Sequence, residues 1–212
     1  MYIIDRTLRF TRGFLLSYGP TPIKKVFWDQ EFSSGKWNFI DNTASDCVYK
    51  HLDRFAENGN VLDLGCGPGN TANEMAPGYR TYVGVDISEA ALAKARQRSE
   101  ANGRGHQNSF EQGDFINFVP PQKFQVILFR ESMYHVPLGK VKPMLDRYSK
   151  YLGEGGVFVV RLYVRDLKNG QPKQRPLAMI DVMEKEFDVV EKRYYDESKA
   201  TVIVFRPRTS VV

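Results

Sequence analysis

The densest chemical signal in the 212-residue chain is Val61-Leu62-Asp63-Leu64-Gly65-Cys66-Gly67-Pro68-Gly69-Asn70, an apolar run with one carboxylate that passes directly into three glycines at alternate positions. Glycines so spaced let a ligand approach the backbone, and a helix that follows them offers free N–H groups to it. The carboxylate sets the sign of the ligand's charge. Asp63 at a strand end would repel a pyrophosphate and stabilise a cation, and Asn70 stands where a dinucleotide-binding turn needs its third glycine. Cys66, inside the turn, reads as a small packing residue against the ligand rather than a nucleophile.

Three more positions extend the pattern. Asp86, 21 residues after Gly65, closes a second β-branched run, where an acid can accept from both ribose hydroxyls, with Ile87 beside it. Gly113-Asp114-Phe115 closes a third, so Asp114 can accept from a base amino group and Phe115 can pack on the base; the plainer reading of Asp114 is a turn acid. After a fourth run comes Phe129-Arg130-Glu131-Ser132-Met133-Tyr134-His135-Val136, at the sheet edge where such folds bind ligands. His135 can take a proton from a hydroxyl or ammonium near neutral pH; Glu131 can do the same or hold a cationic acceptor; packing is the competing role for both. Arg130 is expected to touch the cofactor through its backbone. His51, His106 and the cysteines have no ligand spacing, so no metal site is expected.

The elements that must position these residues alternate from residue 44 onward. Helices are expected over 45–57, ending at Asn58-Gly59, over the stretch capped by Ser88 and stopped at Asn102-Gly103, and over 141–152, with Pro143 in the first turn and Gly153 ending it. Strands are expected at 60–64, 81–85, 107–112, 124–129 and 157–164, then a hairpin of 187–195 and 200–206. The predicted fold is α/β: a Rossmann-like, seven-stranded sheet, mostly parallel with a C-terminal antiparallel hairpin, and helices on both faces. Residues 163–185 read as a loop at the binding edge, either an acceptor loop or a plain surface connection. Residues 1–43 read as an aromatic-rich cap or lid preceding a 44–212 catalytic domain, with ordinary core packing as the competing role for Phe27, Trp28, Phe32, Trp37 and Phe39.

Taken together the motifs resemble the class I S-adenosylmethionine-dependent methyltransferase family, over about residues 44–206, including Leu152-Gly153-Glu154-Gly155-Gly156-Val157 as the family's glycine-rich turn before strand five. The resemblance implies S-adenosylmethionine as cofactor and S-adenosylhomocysteine as product. It assigns cofactor binding to Asp63, Gly65, Cys66, Gly67, Asp86, Ile87, Asp114, Phe115 and Arg130, and makes His135 and Glu131 the catalytic candidates. The residues after strand four look similar to small-molecule and sugar-modifying branches, which implies methyl transfer to an oxygen or nitrogen of a small molecule or glycan precursor. RNA, DNA or protein methylation, and noncatalytic binding of the cofactor, are the alternatives.

Composition bounds these readings. A hydrophobic fraction of 42% and a charged fraction of 26% are those of a globular chain, and no apolar stretch is long enough for a membrane span. Asp5, Arg6, Arg9 and Arg12 interrupt any signal-peptide core, and Cys47 and Cys66 form no disulfide framework, so a cytoplasmic setting is expected. The net charge of +5 suits an acidic or phosphate-bearing acceptor, but the basic residues are scattered and no nucleic-acid partner is expected.

Overall fold

The β-branched runs pair into one seven-stranded sheet in the computed structural model, which describes residues 15, 16, 18–37 and 43–208. The strands are β1 (Asn60–Leu64), β2 (Thr81–Asp86), β3 (Asn108–Gln112), β4 (Phe124–Arg130), β5 (Leu152–Tyr163), β6 (Asp188–Tyr195) and β7 (Ala200–Arg206), in the order β3-β2-β1-β4-β5-β7-β6. The first five run parallel; β7 inserts antiparallel between β5 and β6. This is the Rossmann-like arrangement expected from the alternation of elements, hairpin included.

Both faces of the sheet are covered, which is why β1 and β4 are nearly continuous apolar runs. The helices are α1 (Thr21–Ser33), α2 (Tyr49–Phe55), α3 (Asn70–Glu74), α4 (Glu89–Ala101), α5 (Leu138–Ser149) and α6 (Gln174–Glu186). Strand alternation sends Leu62, Leu64, Ile127 and Phe129 to a core with Leu145 of α5 and Met179 and Met183 of α6. It sends Val61, Val126 and Leu128 to a second core with Leu52 of α2, Ala72 of α3 and Leu92 of α4. Asp63, two residues after Val61, therefore projects on the second face, beside Tyr82. Ser88 caps α4 by accepting from Ala91 N, and Asn102 and Gly103 end it, as the sequence predicts.

Several boundaries differ from expectation, each for a local reason. α2 starts four residues late because the Asp46 carboxylate accepts from Val48 N and holds 45–48 as a turn. α5 starts at Leu138 and ends at Ser149, so Pro143 lies in its interior rather than its first turn, and Gly153 does not end it. Leu152-Gly153-Glu154-Gly155-Gly156 is not a turn before β5 but its irregular first stretch: Leu152 pairs with Phe124, the ladder then shifts, and Gly155 takes φ +67° before Val157 pairs with Val126.

Two helices were not foreseen. α6 occupies much of 163–185, with Pro176 in its first turn, where a missing N–H costs nothing, and Met179, Ile180 and Met183 buried. α1 buries Lys24, Glu31 and Phe32, a mixture with no apolar stripe for a periodicity reading to find. Phe39 of the aromatic segment lies outside the described residues. Among the described residues, no helix is long and apolar enough to cross a membrane.

Candidate cofactor and acceptor site

β1 delivers Gly65, Gly67 and Gly69 in left-handed conformation, at φ +84°, +54° and +75°. They have different duties. A Cβ on Gly65 would meet Ser132 Cβ at 2.4 Å and one on Gly69 would meet Ala95 Cβ at 2.7 Å, so both permit close packing. A Cβ on Gly67 would find Phe32 no nearer than 3.7 Å, so this backbone faces open space. That space is a cavity of about 630 Å³ over the carboxyl ends of the strands, a volume ordinary for a small-molecule site.

Every residue singled out from the sequence borders this cavity: Asp63, Gly65, Cys66, Gly67, Asp86, Ile87, Asp114, Phe115, Arg130, Glu131 and His135. Asp63 is buried; its Oδ2 accepts from the Tyr82 hydroxyl at 2.5 Å, while its Oδ1 makes no hydrogen bond among the described residues, with the Thr71 side chain near enough to favour the charged carboxylate. Burial pushes its carboxyl up to about 6, against the Tyr82 hydrogen bond and the Arg130 charge. Asp86 accepts from Gly67 N and Ser88 N, each at 2.9 Å, so it braces the glycine turn; burial pushes it too up to about 6, against those bonds. Asp114 Oδ2 accepts from Lys24 Nζ at 2.6 Å and Thr21 Oγ1 at 3.0 Å, and its Oδ1 from Ile116 N at 3.1 Å.

Beyond Asp63 the cavity wall is a buried ion-pair network that the sequence reading did not anticipate. Arg130 donates through Nε and Nη2 to Asp46 Oδ2, at 3.1 and 2.8 Å. Arg161 lies 3.4 Å from Asp46 Oδ1 and donates to Glu131 Oε1 at 2.5 Å. Glu131 Oε2 accepts from the Tyr134 hydroxyl at 2.6 Å, and the Tyr134 hydroxyl oxygen accepts from Tyr163 N at 2.6 Å. Glu131 holds φ +57°, a strained conformation for a non-glycine residue. Burial raises its carboxyl despite Arg161 and Tyr134, whereas at Asp46 the two guanidiniums outweigh burial and lower it. One sequence signal pointed here: Arg161 interrupts an otherwise apolar strand, and a charge on a covered strand must find buried partners.

α1 roofs the site. Lys24 and Thr21 anchor it to Asp114, and Asp29 anchors it to the start of α4, accepting from Ser88 Oγ at 2.8 Å and Ala90 N at 3.2 Å. Between these anchors Trp28 packs edge-on against His135, with ring centroids 5.1 Å apart, and lies 5.8 Å from Trp37. The two histidines set aside from the sequence lie elsewhere: His51 is buried with Nε2 2.8 Å from the Tyr195 hydroxyl, and His106 is exposed in the turn before β3.

Residues 55–200 match the family model described as a methyltransferase domain, well over half of the chain. The chain belongs to this methyltransferase family. The fold and motifs are those of its class I, and the family's methyl donor is S-adenosylmethionine. Among curated proteins, a probable thiol methyltransferase 2 of Arabidopsis thaliana is 30% identical over 150 residues, covering 68% of this chain and 65% of that protein. A carboxy-S-adenosyl-L-methionine synthase of Desulfotalea psychrophila is 32% identical over 125 residues, covering 57% of this chain and 49% of that protein. The chain thus spans about half to two thirds of the length of these relatives. Among solved structures, the N-methyltransferase NodS of Bradyrhizobium japonicum with S-adenosylhomocysteine superposes with TM-score 0.65 at 20% identity, covering 87% of this chain and 98% of that one, a likeness of fold.

Proposed function

We propose that this methyltransferase moves the methyl group of S-adenosylmethionine to an oxygen or nitrogen atom of a small molecule or glycan precursor. The observation that carries the reading is the buried Asp63 Oδ1, without a hydrogen bond among the described residues, on the same cavity as the open face of Gly67: an anionic acceptor for a cation at a backbone cradle. The ammonium of S-adenosylmethionine would supply that cation. Asp63, Gly65, Cys66 and Gly67 would hold its methionine part, Asp86 and Ile87 the ribose, and Asp114 and Phe115 the adenine, with Arg130 close by. Asp86 and Asp114 each keep carboxylate lone pairs beyond the bonds they already accept.

When bound, S-adenosylmethionine supplies a sulfonium-bound methyl group whose carbon the acceptor's lone pair takes in line, the electron pair of the breaking bond returning to sulfur to give S-adenosylhomocysteine. The work of this chain is to orient the acceptor, exclude water and receive its proton. His135, on the cavity wall against Trp28, receives the proton. Glu131 has both oxygens engaged by Arg161 and Tyr134, so it acts as a positioning residue. Of the 1–43 segment, α1 (Thr21–Ser33) serves as the lid. The acidic or phosphate-bearing acceptor suggested by the net charge of +5 draws no support from the wall, whose two arginines are already paired. The separate thiols Cys47 and Cys66 suit a cytoplasmic setting.

The test is Asp63→Asn, which keeps shape and removes charge. Losing a charge-assisted hydrogen bond should weaken S-adenosylmethionine binding by about 10²-fold in calorimetry. Wild-type affinity in that variant would overturn the assignment. His135→Ala should lower kcat by about 10²-fold with cofactor affinity unchanged; unchanged kcat would remove His135 from the proton's path.

A further inference from the structure

We propose that the acceptor half of the cavity selects an uncharged molecule with an aromatic or apolar body, and that Trp28 is the residue that recognises it. The inference rests on the methyl-transfer reading and names the substrate class of the same site. Its first support is the distribution of charge. Outside the residues assigned to the cofactor's nucleoside and methionine parts, and apart from Lys24, which is bonded to one of them, Asp114, the charged side chains that border the cavity among the described residues are Asp46, Arg130, Glu131 and Arg161. They are two acids and two guanidiniums, and each is bonded to another of the four.

The network is buried, with side-chain exposures of 3% for Arg161, 7% for Asp46, 14% for Arg130 and 24% for Glu131, and its one buried donor without a hydrogen bond, Arg161 Nε, lies 3.4 Å from Asp46 Oδ1. A carboxylate or phosphate on the acceptor would have to draw a guanidinium away from its present partner and leave a buried acid uncompensated. The cofactor half adds to the discrimination. There Asp63, Asp86 and Asp114 stand against Lys24, leaving two negative charges. S-adenosylmethionine brings a net single positive charge, so the loaded cavity keeps a negative excess that repels an anion.

The second support is the wall itself. Trp28, Trp37, Tyr134, Tyr163 and Leu167 give the acceptor half aromatic and apolar faces, with His135 among them. Trp28 is the member presented on α1, and α1 is fastened to Asp114 and to Ser88, on elements that carry the cofactor's acids. The acceptor face is complete only while α1 is docked over the cofactor half. A flat, apolar body sliding against Trp28 brings its nucleophile to the neighbouring His135 without disturbing the ion pairs.

The chain's two tryptophans, Trp28 and Trp37, both border this half, so intrinsic fluorescence reads acceptor binding without turnover. Protein saturated with S-adenosylhomocysteine is titrated at pH 7 with matched probes: phenol against 4-hydroxybenzoate, aniline against 4-aminobenzoate, and benzyl alcohol against benzyl phosphate. The expected result is that each uncharged probe binds at least about tenfold tighter than its anionic partner. With probe binding to the variants read by calorimetry rather than by the tryptophan signal, Trp28→Ala should lose that binding while Trp28→Phe retains it, both with cofactor affinity within about threefold of wild type. Equal or tighter binding of the anionic members, binding of none of the probes, or full binding by Trp28→Ala would overturn the proposal. Failure to bind S-adenosylhomocysteine at all would instead sink the methyl-transfer reading, which the calorimetry reports separately.

Discussion

Tyr82→Phe isolates the role of Asp63 in cofactor binding. The Tyr82 hydroxyl is the one hydrogen-bond donor seen on Asp63 Oδ2, at 2.5 Å, and the carboxyl already sits up at about 6 because burial outweighs that bond. A hydrogen bond to a charged group contributes about 1.5–3 kcal/mol. At 1.36 kcal/mol per pH unit, deleting it moves the protonation midpoint about one to two pH units toward alkaline. At pH 7 most wild-type Asp63 is ionised, whereas in the variant roughly a half to a tenth is. S-adenosylmethionine should therefore bind roughly two- to tenfold more weakly at pH 7 and recover by about pH 9. Asp86 supplies an internal reference, since its partners are backbone N–H groups that the substitution leaves in place. Calorimetry from pH 5.5 to 9 reads the curve. A loss of equal size at every pH, or none, would refute the linkage between Asp63 ionisation and binding.

Other consequences can be measured independently. Asp63 and Asp86 stand at about 6 in the folded chain, above their unfolded value, so the fold holds extra protons between roughly pH 4 and 6 and loses stability as pH rises through that window. Cofactor cations offset this loss, so the thermal shift produced by S-adenosylmethionine should be larger at pH 7 than at pH 5; an equal or reversed shift would contradict it. Arg161→Met strips Glu131 and Asp46 of a buried partner and should cost about 3–5 kcal/mol in urea unfolding, with Glu131→Gln added on top restoring part of it. Gly67→Ala meets open space but a left-handed backbone and should cost about 1–2 kcal/mol, whereas Gly65→Ala must also displace Ser132 and should cost more. Thr21→Ala with Lys24→Met removes both ties between α1 and Asp114 and should speed release of S-adenosylhomocysteine in stopped-flow displacement; an unchanged rate would mean α1 does not gate exchange.

What could be read in the sequence followed from chemistry that acts locally. The β1–glycine–α3 turn, the Ser88 cap and the closing hairpin depend on residues adjacent in the chain, and they fall within a residue of their expected places. The cavity border was legible for the same reason, because strand ends in a parallel sheet converge on one edge and carry Asp63, Asp86, Asp114 and Glu131 there. What stayed hidden depends on partners far apart in sequence. Asp46 meets Arg130 and Arg161 across 84 and 115 residues, and nothing in its neighbourhood distinguishes it from a helix-start acid. α1 is held by Lys24, Asp29 and Phe32 facing three different elements, a pattern without apolar periodicity. α6 was masked by Pro176 and the basic residues around it, although its interior carries an apolar face.

The most direct test of the central reading is calorimetric titration of the purified protein with S-adenosylmethionine and S-adenosylhomocysteine, with NAD as the control. Saturable one-to-one binding of the first two with no heat from NAD is the predicted result. Absence of S-adenosylmethionine binding, or binding of NAD in its place, would contradict it.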